Sequence, residues 1–228
     1  MTDEKKKVLS YIDEKADVII DTSDKIWDFA ELSLREFKSG ELYAHVLKEE
    51  GFEVEHPFCG IETAFRASYG SGKPVIGILA EYDALTGLSQ VAGQQSREEL
   101  VSNGNGHGCG HNLLGAGCYA AAVALKDYLI KEKKDGTVIF FGCPAEEGAG
   151  SKQFIARAGY FDNVDFAYTW HPETVNEVSS RGSVAIMGAN FTFDGVAAHA
   201  GGEPHLGRSA LDACELMNVG VNYMREHV

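Results

Sequence analysis

The sequence predicts an α/β fold, because an apolar strand that ends in polar side chains occurs three times along the chain. Residues 75–80 form a near-continuous apolar run, which is typical of a strand buried on both faces. Residues 137–141 and 166–170 repeat the pattern, and helix-like segments separate the three runs. Functional groups gather where the strands of open α/β sheets end, so we expect a site at these three ends.

The chain before the first of these strands is predicted to be mainly helical. Apolar residues recur at helical spacing over residues 3–29, and we place a kink or a new N-cap at residues 21–23. A helix is expected over residues 39–50, with Gly51 as its C-terminal stop. Two segments are expected to be extended: residues 52–58 and 63–68. Two more helices are expected further along: residues 113–130 and 151–158.

The composition changes after Ser180, and we place a domain boundary there. Residues 183–194 alternate in the manner of a half-buried strand, and a helix is expected to begin near Ser209. We therefore divide the chain into a first domain, residues 1–184, and the incomplete start of a second, residues 185–228.

Composition and charge exclude several classes of partner. The formal net charge of −14 over 228 residues argues against nucleic acid or an anionic membrane surface. Five scattered cysteines, an odd number, are interpreted as reduced thiols in a cytosolic protein. We expect no secretory signal and no stretch that is long and apolar enough to span a bilayer. The predicted location is therefore the cytoplasm.

The segment with the clearest chemistry is glycine-rich and carries a thiol and two imidazoles, at residues 106–112. Cys109 and His111 are ligands of the kind that a zinc-like divalent ion selects. The glycines allow the backbone to turn tightly, so that both side chains can face one side. His107, in the same segment, is interpreted as a loop imidazole.

Two later segments supply what a hydrolytic metal site would still need. Glu147 and His171 follow predicted strands, and with the Cys/His pair they make four candidate ligands. Glu146 is interpreted as the general base that takes a proton from water, and Asp83 as a partner that orients a ligand.

Each of these patterns also has an ordinary structural interpretation. A cysteine near a histidine is often structural, an adjacent glutamate pair is usually a solvated surface, and a His-Pro pair is usually a turn. Their coincidence at strand ends and at a helix start weakens that interpretation. Taken alone, the residues leave both interpretations open.

Five motifs in a fixed order carry a family resemblance. They are Glu-Tyr-Asp-Ala-Leu at 81–85, His-Gly-Cys-Gly-His-Asn at 107–112, Pro-Ala-Glu-Glu at 144–147, Trp-His-Pro at 170–172 and Ala-Ala-His-Ala at 197–200. In this order they resemble peptidase family M20, a family of metallopeptidases and amidohydrolases, and more narrowly its amidohydrolase branch, subfamily D. The resemblance covers nearly the whole chain.

The resemblance implies a dinuclear site that holds two divalent ions, manganese or zinc. Its ligands would be the four named above: Cys109, His111, Glu147 and His171. Glu146 would be the catalytic base. His199 matches a histidine that reaches across a dimer to the partner's active site and steadies the oxyanion of the tetrahedral intermediate.

The resemblance also implies an architecture and an activity. The fold would be a three-layer catalytic domain, with a mixed sheet flanked by helices, followed by the start of an inserted α+β, ferredoxin-like lid and dimerisation domain. The activity would be metal-dependent hydrolysis of an amide between an acyl or aroyl group and an amino acid. Expected substrates are p-aminobenzoyl-glutamate-like compounds, N-acyl amino acids or dipeptides. The expected partner is a second copy of the chain, bound through the lid domain, and a related second subunit remains an alternative.

Family members are far longer than this chain, and a final metal-binding histidine follows their lid domain. We therefore expect a fragment or a truncated product that binds metal weakly and turns over little substrate by itself. The alternative functions are a catalytically silent relative that binds metal or a partner, or an inactive truncated fragment.

Overall fold

A five-stranded mixed sheet forms the centre of the larger of two units. The computed structural model describes residues 1–178, 182 and 184–228, which divide into the units Met1–Asn176 and Glu177–Val228. The strands of the first unit are β1 (Glu53–Glu55), β2 (Phe65–Ser71), β3 (Val75–Ala80), β4 (Gly136–Gly142) and β5 (Phe166–Tyr168). Their order is β1-β2-β4-β3-β5, in which β4, β3 and β5 are parallel and β1 and β2 are antiparallel to their neighbours. The three predicted strands are thus confirmed, and they lie side by side.

The alternation of side chains along β4 divides its residues between two cores. Val138 and Phe140 belong to a cluster with residues of three helices, whereas Phe141 belongs to a cluster that includes Ile155 and against which Ile139 packs. Successive strand residues point to opposite faces of a sheet, so the two clusters lie on opposite faces. Helices therefore cover both faces of a mixed sheet, and the predicted three-layer arrangement is confirmed.

The helices of the first unit largely follow the prediction. They are α1 (Asp3–Asp13), α2 (Ala16–Phe29), α3 (Phe37–Glu49), α4 (His111–Lys131) and α5 (Ser151–Arg157). Gly51 ends the third helix with a positive φ of 86°, as expected. The break expected at residues 21–23 is wrong, because the chain breaks at Glu14 and Lys15 instead. Thr22 and Ser23 are buried inside α2, where the Ser23 hydroxyl accepts a hydrogen bond from Asn112 and caps nothing.

By its length and composition, helix α4 could cross a bilayer. The expectation that the chain has no stretch of this length and apolar composition is therefore wrong. Its apolar stretch is 56% buried inside the first unit. The helix contacts β3, β4, α1 and α2, and it therefore needs apolar residues around most of its circumference. These contacts account for its composition as that of a core helix.

The second unit contains one helix of the predicted kind. Helix α6 (Ala210–Met224) begins after Ser209, whose hydroxyl accepts the Asp212 N–H at 3.1 Å. The strand expected over residues 183–194 is wrong for the described residues 184–194, which include no strand, and Ser183 lies outside the described residues. All of them except the half-buried Phe193 are exposed, and the alternating pattern has no partner strand in the described part of the unit to pair with.

The predicted domain boundary falls close to the division between the two units. Residues 180, 181 and 183, on which the predicted boundary falls, lie outside the described residues, and the units divide between Asn176 and Glu177. The role of the second unit as the start of a lid and dimerisation domain stays a prediction.

Candidate metal centre

The candidate site forms where the parallel strands β3, β4 and β5 end. Because these strands run in the same direction, their carboxyl ends meet at one edge of the sheet. Glu81 and Asp83 follow β3, Glu146 and Glu147 follow β4, and His171 follows β5. The loop before α4 brings Cys109 to the same edge, and His111 is the first residue of that helix. All four predicted metal ligands are therefore brought together.

Two glycines permit the close approach between α4 and the segment after β5. Gly110 caps α4 with a positive φ of 76°, and a Cβ there would lie 3.0 Å from the ring of Pro172. A Cβ on Gly117 would lie 2.6 Å from the indole of Trp170, which donates a hydrogen bond of 3.0 Å to the Leu114 carbonyl. These contacts seat His171 beside the start of α4.

The imidazole of His111 is fully buried and is held by one of its two nitrogens. Its Nδ1 donates to Oδ1 of Asp83 at 2.9 Å. Its Nε2 has Oε2 of Glu81 at 3.1 Å, outside hydrogen-bonding geometry, and makes no hydrogen bond among the described residues. A histidine with one nitrogen fixed by a carboxylate and the other left without a partner is the usual arrangement of a metal ligand.

Asp83 holds three parts of the site at once. Besides His111, its carboxylate accepts the Ser33 hydroxyl at 2.8 Å and the backbone N–H of Glu147 at 3.0 Å, both on Oδ2. Burial by itself would raise the pKa of Asp83, but these hydrogen bonds outweigh burial and hold the pKa below its usual value. Asp83 thus lies where the sequence predicts an orienting partner.

Cys109 and His171 form the second arm of the site. Sγ of Cys109 lies 3.3 Å from Nε2 of His171, and Nδ1 of His171 donates to the Pro172 carbonyl at 2.9 Å. The second histidine is thus also fixed through Nδ1, and its Nε2 faces the thiol. Burial and the neighbouring Glu147 raise the pKa of the Cys109 thiol to about 12.

Three carboxylates surround the free nitrogen of His111. The nearest oxygens of Glu146 and Glu147 each lie 4.0 Å from Nε2, beyond Glu81. Lys152 forms an ion pair with Glu81 and supplies positive charge beside these carboxylates. Burial, and then the charge of Glu81, raise the pKa of Glu146. The concentration of negative charge is of the kind that a bound cation stabilises.

The donor atoms fit divalent ions. Two groups of potential ligands have their donor atoms within 4.8 Å of one another, and His111 belongs to both: Cys109–His111–His171 and Glu81–His111–Glu146. Sulfur and imidazole suit zinc, and carboxylates suit manganese as well. The residues present therefore fit a metal site.

Glu81 is marked with Asp83 as a strand-end carboxylate in the sequence but is not predicted as a member of the site, where the structure places it. Glu81 and Asp83 are two residues apart after β3, and the interpretation assigns a role to Asp83 alone. His107 is a buried loop imidazole, as expected, and its Nε2 donates to the Ile26 carbonyl at 3.0 Å.

His199 belongs to the second unit, which is described by itself. It lies on an exposed turn, where its Nδ1 accepts the Gly201 N–H at 3.2 Å and its carbonyl accepts the N–H groups of Gly202 and Glu203. Its catalytic role stays a prediction.

Comparisons with known proteins agree with this geometry. The family described as Peptidase family M20/M25/M40 matches residues 77–216. One of the subunits of p-aminobenzoyl-glutamate hydrolase from Escherichia coli strain K12 is 50% identical over 208 residues, which are 91% of this chain and 43% of the relative. The chain thus spans less than half the length of that relative.

Two solved structures share the fold. An aminobenzoyl-glutamate utilization protein from Klebsiella pneumoniae has a TM-score of 0.56 at 22% identity, and the match covers 90% of this chain and 57% of that one. A dinuclear metal binding peptidase of the M20 family from Bacillus subtilis has a TM-score of 0.52 at 24% identity, and the match covers 69% of this chain and 42% of that one. The family match extends over more than half of the chain and includes the strand ends that carry the site. The chain therefore belongs to peptidase family M20/M25/M40.

Proposed function

We propose that this chain carries the metal centre of an amidohydrolase that cleaves the amide between an acyl or aroyl group and an amino acid. The observation that carries the proposal is the convergence of a thiol, two imidazole nitrogens and three carboxylates at one sheet edge. Both imidazoles are fixed through Nδ1, by Asp83 and by the Pro172 carbonyl, so both present Nε2 to the site. Such orientation is what a metal site requires of its histidines.

The chain's own residues would hold two divalent ions, manganese or zinc. The proposed ligands are Cys109, His111, Glu147 and His171, and the B. subtilis structure, described as a dinuclear metal binding peptidase, supports the number of ions. When bound, the ions supply a Lewis acid that polarises the amide carbonyl and acidifies water. Glu81 is buried beside the free nitrogen of His111 and adds a further carboxylate to the centre.

The two adjacent glutamates would have different roles, with Glu147 as a metal ligand and Glu146 as the group that transfers protons. Their side chains are equally distant from His111, but Glu146 is 42% exposed and Glu147 is 22% exposed. The more exposed Glu146 is better placed to reach water from outside, so we assign it as the general base. It would take a proton from the attacking water and return it to the leaving amine.

The substrate proposal rests on the relatives and on a neighbouring cavity. The E. coli relative is named for p-aminobenzoyl-glutamate, an aroyl amino acid. A cavity of about 450 Å3 lies next to the Glu146–Glu147 turn, with Ala149 in its wall, and its apolar lining includes Leu34, Ile61 and Phe154. Such a lining suits an aroyl group, and N-acyl amino acids and dipeptides are the competing substrates.

We further propose a homodimer formed through the second unit, in which His199 acts on the partner's site. The E. coli relative is named as one of the subunits of its enzyme, which supports an assembly and leaves a related second chain as the alternative partner. The five free thiols support a cytoplasmic location.

The test of catalysis uses a chimera, because the chain spans 43% of the E. coli relative. The chain replaces the matching 208 residues of that relative, and hydrolysis of p-aminobenzoyl-glutamate is measured with manganese or zinc. We expect turnover, and we expect Glu146→Ala to reduce it by a factor of at least about 100 with unchanged metal content. A chimera that binds metal and hydrolyses no aroyl, acyl or dipeptide amide would instead favour a catalytically silent metal-binding relative.

A further inference from the structure

The turn that carries both glutamates begins at a residue in an unfavourable conformation. Ala145 has a φ of 61°, in the left-handed region that residues with a Cβ seldom occupy. Its side chain is fully buried, and the next two residues are Glu146 and Glu147. Such a conformation persists only where the surroundings enforce it. The groups that hold Ala145 therefore decide where the two carboxylates lie.

A buried carboxylate from a distant part of the chain holds Ala145. The backbone N–H of Ala145 donates to Oε1 of Glu36 at 2.7 Å, across 109 positions of sequence. On its other side, the Ala145 carbonyl accepts the N–H of Gly150 at 2.7 Å, which closes the turn. The hydrogen bond to Glu36 thus fixes the peptide that leads into the turn.

Glu36 is a costly group to keep in the interior. The residue is fully buried, and its second oxygen, Oε2, has no hydrogen-bond partner among the described residues. Burial raises the pKa of Glu36. Burying a carboxyl group with few partners is unfavourable, and the N–H of Ala145 is the hydrogen-bond donor that Glu36 meets from a distant part of the chain.

A second buried carboxylate holds the other part of the same turn. Oδ2 of Asp83 accepts the N–H of Glu147, while Oδ1 of Asp83 accepts Nδ1–H of His111. The turn is therefore attached by Asp83 to the metal-binding histidine and by Glu36 to the start of α3. We propose that Glu36 is a positioning residue: by holding Ala145 in its left-handed conformation, it keeps Glu146 and Glu147 in register with the metal centre. This inference rests on the proposed metal function, and it adds a residue outside the five motifs.

The consequence of losing this hydrogen bond follows from the geometry. Without the Glu36 oxygen as acceptor, the buried N–H of Ala145 has no partner. The backbone of Ala145 is then free to relax from the left-handed to the right-handed region. Glu147 would then move relative to His111, and metal affinity would fall although no ligand has been removed. Residues that orient ligands typically change metal affinity roughly 10- to 100-fold.

The test measures manganese and zinc affinity of the full chain by titration calorimetry in three variants of Glu36. Glu36→Ala removes the acceptor, and Glu36→Asp keeps the carboxyl group but shortens the reach, so both should weaken binding about tenfold. Glu36→Gln keeps an acceptor oxygen at the same reach and should stay within about threefold of the unchanged chain. If Glu36→Ala does not fold, the comparison of Asp with Gln decides the question by itself.

A matched control distinguishes positioning from general stability. Glu31 is also a carboxylate that accepts backbone N–H groups, those of Lys38 and Ser39, but among the described residues its side chain makes no hydrogen bond to the turn. Glu31→Ala should leave metal affinity of the folded chain unchanged. Equal losses in Glu31→Ala and Glu36→Ala would overturn the proposal, as would a Glu36→Gln variant that is as weak as Glu36→Asp.

A second measurement needs no metal. Amide hydrogen exchange of residues 145–150 in the metal-free chain should be at least about tenfold faster in Glu36→Asp than in Glu36→Gln. Equal exchange in the two variants would overturn the positioning role. The unchanged chain could bind neither metal while amide exchange still differs between Glu36→Asp and Glu36→Gln. That result would contradict the proposed metal function and support the role of Glu36 in fixing the turn.

Discussion

The two units of the molecule differ in how firmly their candidate functional side chains are held. In the first unit, His111 is fully buried and fixed through Nδ1, and the backbone of Glu147 is fixed by Asp83. In the second unit, His199 lies on an exposed turn, and α6 has no buried residue. A site is preorganised where its side chains are locked by packing and by outer hydrogen bonds. The first unit meets that condition, and the second unit does not meet it by itself.

The largest expected effect compares the two long helices. Leu114 on α4 is 1% exposed, and Leu216 on α6 is 75% exposed. Leu114→Ala should lower the free energy of unfolding by about 2–5 kcal/mol, because it removes core packing and leaves a cavity. Leu216→Ala should change it by no more than about 0.5 kcal/mol. Chemical denaturation followed by circular dichroism measures both, and similar losses would show that α6 is packed as tightly as α4.

The next prediction compares the two histidines. His111→Ala removes a fully buried candidate ligand shared by both groups of donors, and metal affinity should fall about 100-fold or more. His199→Ala should leave metal affinity unchanged in the isolated chain, because its role is proposed for the oxyanion and not for the metal. Titration calorimetry with zinc gives both values. A large loss with His199→Ala would make the second unit part of the metal site.

A smaller effect is expected from the partner that orients His111. Asp83→Asn keeps the shape of the side chain but weakens the hydrogen bond that His111 donates, so metal affinity should fall about tenfold. Ser33→Ala is the matched control, because it removes another contact to the same carboxylate and leaves the contact to His111 in place. Equal losses in both variants would mean that the whole network, and not the bond to His111, sets the affinity.

The smallest predicted effect concerns stability far from the site. Oε2 of Glu50 accepts a hydrogen bond from the buried Lys126 at 2.7 Å, and Oε1 accepts one from Lys15 at 2.6 Å. Burial would raise the pKa of Glu50, but these lysines outweigh it and lower the pKa. The folded-state pKa is thus below that of the unfolded chain, so the stabilisation is complete above a pH of about 4.3 and is lost as the pH falls through the folded pKa.

The matching experiment follows unfolding of Glu50→Gln with pH. The variant should be less stable than the unchanged chain by about 1 kcal/mol near neutral pH, and the difference should vanish in acid once the pH has fallen through the folded pKa of Glu50. Asp21→Asn, which removes an exposed ion pair with Lys25, is the control and should have little effect at either pH. A difference for Glu50→Gln that persists in acid would contradict the ionic explanation.

The sequence predicts that the candidate ligands lie together, because these residues follow strands with a strong apolar pattern. Cys109, His111, Glu147 and His171 all lie next to predicted elements, and parallel strands bring their ends together by geometry. Residues whose roles depend on distant contacts are not predictable in this way. Glu36 meets Ala145 across 109 positions, and nothing in its local sequence indicates that contact.

The errors have a common physical origin. Thr22 and Ser23 have the composition of a helix cap, yet tertiary burial retains them inside α2. Residues 184–194 have the alternation of a strand, yet the described part of their unit offers no neighbouring strand for pairing. Local propensity is a weak guide wherever tertiary partners decide the outcome.

The central claim is that this chain holds divalent metal through the residues at the sheet edge. The most direct measurement is the number of ions bound per chain, found by elemental analysis after equilibrium dialysis against excess manganese or zinc, beside a Cys109→Ser/His111→Ala double variant. We predict between one and two ions per unchanged chain and essentially none in the double variant. Absence of metal from the unchanged chain, or equal content in both proteins, would contradict the account.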